Sequence, residues 1–139
     1  MNVAAEAFPI PIHHNPDCGT SRNTLAMIEA AGYAPTVVDY RHVGWTRAQL
    51  DELLSAMAAR PRDIVRDKGT PASELGILDP SATDEMILAA MLAHPILVNR
   101  PIVVTPKGAK LCRPSEVVFA LLDRVPAEFT KEDGEIVRR

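Results

Sequence analysis

The chain reads as an α/β fold: a mixed four-stranded sheet with flanking helices and a helical insertion between its two halves. Three observations predict it. A strand, helix, strand unit opens the chain; a long stretch of helical periodicity follows; and two short apolar strands joined by turn residues lead into a last helix. Strands joined through a helix must run parallel by a crossover, which is nearly always right-handed, whereas the later pair can close as a hairpin. The sheet is therefore mixed.

Residues 9–13 form the first strand, with Pro9 and Pro11 expected to shorten or distort it because proline cannot donate to a ladder. Residues 20–31 follow as a helix stopped by Gly32, and residues 35–40 (PTVVDY) as the second strand. Thr46 then opens a helix: Gln49 completes a capping box, and Leu50, Leu53, Leu54 and Met57 recur at helical spacing. Residues 62–67 read as a short helix, 68–72 as a loop, and 84–93 as a helix with Met86, Ile87, Ala90 and Met91 on one face. The helical insertion spans about residues 46–94.

Residues 102–105 and 109–112 are the closing strands, turning through Pro106, Lys107 and Gly108, and Pro114 starts the last helix. The polar, charged stretch 126–139 reads as a loosely held tail. A chain of 139 residues is expected to be one domain, 1–139.

Composition narrows the function. A net charge of −3 argues against a general nucleic-acid surface, so an anionic ligand needs locally clustered arginines. No apolar run reaches the roughly 18 residues of a membrane span, and residues 1–8 lack the marks of a secretory leader. Two cysteines far apart, Cys18 and Cys112, suit reduced thiols in a cytoplasmic, soluble protein. Neither they nor His13, His14, His42 and His94 have the spacing of a zinc site, so no metal is expected. No helix carries an apolar stripe beyond what one core needs, which points to a monomer.

Chemistry concentrates at Cys18, where a strand ends and a helix begins. Unpaired N–H groups and the positive end of the helix dipole stabilise a thiolate there, and the same N–H groups hold an oxyanion. Gly19 removes a side chain from the approach to the sulfur, while Ser21 and Thr20 offer hydroxyls. His14 is the nearest candidate for thiolate support, and a surface histidine at a strand end is the competing reading. A phosphatase-like loop needs an arginine six residues after its cysteine, where this chain has Thr24; a dithiol oxidoreductase needs a second cysteine where it has Ser21. Cys112, in a strand, reads as a buried inert thiol. Arg22 either assists an anion or supports the helix, and Trp45 is a packing residue.

Three segments, HNPDCGTSRNTL (residues 14–25), HPILVNRPIVVTPKG (94–108) and LCRPSEVV (111–118), closely resemble the glutaredoxin-coupled arsenate reductase family. The stretch beginning VRDKG (65–69) and the ending FTKEDGE (129–135) extend the resemblance. It implies a thioredoxin-like fold and a Cys18 thiolate that attacks arsenate to form a covalent thio-arsenate. Glutathione then acts as co-substrate and glutaredoxin as partner, with no tightly bound cofactor. It matches the family's three essential arginines to Arg66, Arg100 and Arg113, its supporting histidine and serine to His14 and Ser21, and its cis-proline to Pro101.

Guanidinium groups suit that assignment, being planar, multiply donating and always charged. Two alternatives share the fold: a glutathione- or anion-binding thiol protein without arsenate reduction, and a thiol-linked transcription regulator. The first is marked by loss of one of the three arginines, all present here; the second by a two-cysteine switch, which Ser21 removes.

Overall fold

The computed structural model describes residues 9–138. The reading that no secretory leader opens the chain concerns residues 1–8, which lie outside the described residues. Two compact units emerge, one formed by the described parts of Met1–Asp39 and Arg100–Arg139, the other by Tyr40–Asn99.

The first unit is built on four strands: β1 (Pro11–His14), β2 (Thr36–Asp39), β3 (Ile102–Thr105) and β4 (Gly108–Leu111), in the order β2-β1-β3-β4. β1 is parallel to β2 and antiparallel to β3, and β3 is antiparallel to β4. The sheet is mixed and four-stranded, as expected. Pro11 is tolerated because it is the first residue of its strand, and β2 reaches past it: Thr36 N–H donates to the Ile10 carbonyl at 2.9 Å. The crossover helix α1 (Gly19–Ala30) buries Met27 and Ile28 against Ile10, Ile12, Val103 and Val118. Its far end is closed by Gly32, at φ +93°, and by Arg124, which donates to the carbonyls of Ala31 and Gly32 and lies 4.5 Å over the Tyr33 ring.

Two elements of this unit differ from the sequence expectation. The segment after Pro114 is a 3₁₀ helix, Ser115–Leu121, and not an α-helix. Its buried residues Ser115, Val118 and Leu121 recur every three positions, which fits 3.0 residues per turn, and Val117 and Val118 are weak α-formers. The stretch read as a loosely held tail forms a hairpin through Arg138, β5 (Glu128–Thr130) and β6 (Ile136–Arg138). Phe129 and Val137 pack on the core, and Lys131, its side chain 9% exposed, pairs with Glu116 at 2.9 Å and Glu135 at 3.0 Å.

The second unit contains α2 (Tyr40–Val43), α3 (Arg47–Met57) and α4 (Asp84–Ala93), with 3₁₀ turns at Pro61–Ile64 and Pro95–Leu97. The insertion read at residues 46–94 falls inside it. Both halves of the Thr46–Gln49 capping box are formed. Met86 is corrected from its expected place on the buried face: it is half exposed, and Leu88 joins Ile87 and Met91 inside. The short helix expected at 62–67 is the turn Pro61–Ile64, after which Val65 bridges to Val98. Trp45 is buried against Tyr40, ring centroids 5.0 Å apart, and serves packing. Among the described residues no helix is long and apolar enough to cross a membrane.

Candidate active site

Sheet topology brings the site together. β1 ends at His14 beside the start of β3, and the ladder joining β3 to β4 continues one step further, with Cys112 N–H donating to the Pro101 carbonyl at 2.9 Å. The loop after β1, the residues before β3 and those after β4 therefore meet at one end of the sheet. They carry Cys18, Arg100 and Arg113. Both arginines precede cis-prolines, at Arg100-Pro101 and Arg113-Pro114.

Cys18 is the N-cap residue of α1, in extended conformation, with only 8% of its surface exposed. Its backbone N–H donates to the Asn15 carbonyl at 3.0 Å, and its carbonyl accepts from Arg22 N–H at 2.9 Å, so the sulfur is carried on a tight turn that becomes the first helical turn. Arg113 Nη1 reaches the sulfur at 3.7 Å and also donates to the Arg100 carbonyl at 2.9 Å. Burial pushes the thiol pKa up. The Ser21 backbone N–H, hydrogen bonds from Arg100 and Arg113, and the Arg100 charge outweigh that and leave it below its ordinary value.

The hydroxyl of Ser21 has a different place from the one a simple donor to the sulfur would take. Ser21 Oγ accepts from Asn15 N–H at 3.1 Å and lies 2.6 Å from His14 Nδ1, the two sharing one hydrogen. It is the backbone of Ser21 that acts on the sulfur, while its side chain ties the helix start to the end of β1. Asn15, 2% exposed, was not singled out by sequence reasoning, yet it organises the turn: its Oδ1 also accepts from Asp17 N–H at 2.9 Å. The Asn-Pro pair is the sequence signal that marks such a turn. Gly19 is pressed not by an open approach but by the C-terminal hairpin, since a Cβ there would lie 3.2 Å from Glu132 Oε1.

Cys112 is fully buried, its thiol pKa pushed up to about 12 by desolvation, as suits an inert thiol. His13 is also buried, and desolvation holds its pKa down at about 4. Arg66 belongs to the second unit, where its N–H donates to the Leu97 carbonyl at 2.7 Å and its Nε to the Lys68 carbonyl at 3.4 Å. The structure thus brings Cys18, Ser21, His14, Arg100 and Arg113 together within the first unit. A buried thiol held below its ordinary pKa and flanked by two guanidinium groups and a helix N-terminus can, once ionised, attack an oxyanion and stabilise the charge that develops on it.

Comparison with known proteins gives consistent results. The model of the ArsC family matches residues 13–121. The chain is 57% identical over 129 residues to arsenate reductase ArsI2 of Synechocystis sp., covering 92% of each chain. It is 52% identical over the same length to an arsenate reductase of Escherichia coli, again covering 92% of both. Among solved structures, an arsenate reductase from Vibrio cholerae superposes with a TM-score of 0.79 at 37% identity, over 84% of this chain and 99% of that one.

Proposed function

The chain belongs to the ArsC family, and from that premise we propose that it is an arsenate reductase in which Cys18 is the nucleophile and glutathione with glutaredoxin supply the electrons. The observation that carries the reading is the Cys18 thiol, held below its ordinary pKa between the Ser21 N–H and two arginines. An anion site and a nucleophile at one point are what attack on a charged oxyanion requires.

The Cys18 thiolate forms a sulfur–arsenic bond and one arsenate oxygen leaves as water, giving a thio-arsenate. Arg100 and Arg113 neutralise the anion and the departing oxygen, with Arg66 as the third arginine by its match to the family. Glutathione then displaces a second arsenate oxygen, which takes the thiol proton and leaves as water, so that arsenic is bonded to both the Cys18 and the glutathione sulfur. When a glutaredoxin thiolate takes the glutathione sulfur as a disulfide, the electron pair stays on arsenic, which falls from +5 to +3 while still bonded to Cys18; water then hydrolyses that last sulfur–arsenic bond, releasing arsenite and returning the Cys18 thiol. His14 acts through Ser21 by fixing the start of α1, so that the Ser21 N–H stays aimed at the sulfur. A glutathione-dependent reaction suits a reducing cytoplasm, and each of its steps uses one copy of the chain.

The test is NADPH oxidation coupled through glutathione reductase, with arsenate, glutathione and glutaredoxin omitted one at a time. The expected result is a rate that requires all three. A thiol that binds glutathione while arsenate leaves NADPH consumption unchanged would instead mark an anion-binding protein of the same fold.

A further inference from the structure

Two residues beside the Cys18 loop take no part in the chemistry above. Arg22, on the first turn of α1, donates through Nη1 to the Pro16 carbonyl at 2.7 Å. Through Nε and Nη2 it holds both carboxylate oxygens of Glu132, at 3.1 and 2.6 Å. Glu132 lies in the turn between β5 and β6, 110 residues away along the chain, and its backbone N–H donates to Asn23 Oδ1 at 3.0 Å. Its carboxylate rests over Gly19, the residue after the nucleophile.

We propose that Glu132 is a positioning residue: by fixing the plane of the Arg22 guanidinium it holds that group on the Pro16 carbonyl, and so keeps the loop leading to Cys18 in its reactive shape. A guanidinium is rigid and planar, so a carboxylate that takes two of its N–H groups decides where the remaining edge points. Here that edge meets Pro16, which lies between Asn15, which organises the turn, and Cys18 itself. Both side chains are about half exposed, at 45% and 46%, so the pair adds little as a salt bridge alone; what matters is the loop its third bond secures.

Charge and position predict opposite signs at this site. A carboxylate beside a thiolate disfavours it, so by charge alone removing Glu132 lowers the thiol pKa. If Glu132 holds the loop, removing it misaligns the Ser21 N–H and the arginines from the sulfur, and the pKa rises. The proposal rests on Cys18 being the reactive thiol. Its test uses no arsenate, so its failure is separable from failure of the arsenate reading.

The experiment follows the pH dependence of Cys18 alkylation by iodoacetamide, read by peptide mass spectrometry, in the full-length native chain, Glu132→Gln and Arg22→Lys, with circular dichroism confirming the fold of each. The apparent thiol pKa is expected to rise by about half a pH unit to one in both variants, even though one loses a negative charge and the other keeps its positive one. A fall or no change in either overturns the proposal.

Discussion

Cys18→Ser is expected to lower arsenate-dependent NADPH oxidation by at least about a thousandfold, with no loss of thermal stability. The two halves of this expectation come from the same position. Cys18 is the N-cap of α1, and serine is among the residues most favoured at an N-cap, so the fold has no reason to suffer. The chemistry has every reason to. A hydroxyl is not ionised at neutral pH and cannot form the sulfur–arsenic bond through which electrons reach arsenic. The coupled assay and a thermal melt, run side by side, check both halves. A variant that retained a substantial rate would move the nucleophile elsewhere, and Cys112, fully buried with its pKa pushed up to about 12, is poorly suited to that role.

Arg113→Ala is expected to reduce kcat/KM for arsenate by about 10²–10³, the usual effect of deleting a donor aimed at developing charge. Arg113 acts twice: Nη1 approaches the sulfur at 3.7 Å and holds the Arg100 carbonyl at 2.9 Å, so its loss also loosens the second arginine. The pH profile gives the loss a direction. A cation beside the thiol lowers its pKa, so removing it raises the pKa. Below the new value the thiol is protonated and idle. The acid limb of the rate profile therefore moves to higher pH, and the defect is greatest at low pH and shrinks as pH rises through the new pKa. Arg113→Lys keeps the charge but offers one nitrogen for two tasks, and falls between the two.

Local signals carried much of this structure and contacts distant in the chain carried the rest. The Thr46–Gln49 capping box, the helix Asp84–Ala93 and the strand Ile102–Thr105 were readable because cap, periodicity and turn residues lie within a few positions of one another. The Cys18 turn was readable for the same reason. The 3₁₀ geometry of Ser115–Leu121 was not, since an apolar stretch after proline fits either helix and the three-residue burial period shows only once the sheet is in place.

The C-terminal hairpin was also hidden: a polar, charged sequence gave no core signal, and its order comes from Lys131, Glu132 and Phe129 meeting residues far back in the chain. Within the site, the residue types at Cys18, Arg100 and Arg113 were legible. The division of Ser21 into a backbone that serves the sulfur and a hydroxyl that serves His14 depends on a turn geometry that spacing does not encode.

The proposed function requires Cys18 to be a thiolate lodged in an oxyanion site. The most direct measurement is the rate of Cys18 alkylation by iodoacetamide across pH, with and without arsenate in the absence of glutathione. The expected result is titration below the free-cysteine range of about 8.5 and a rate that falls as arsenate fills the site. A thiol that titrates at or above that range, and whose alkylation arsenate leaves unchanged, would contradict it.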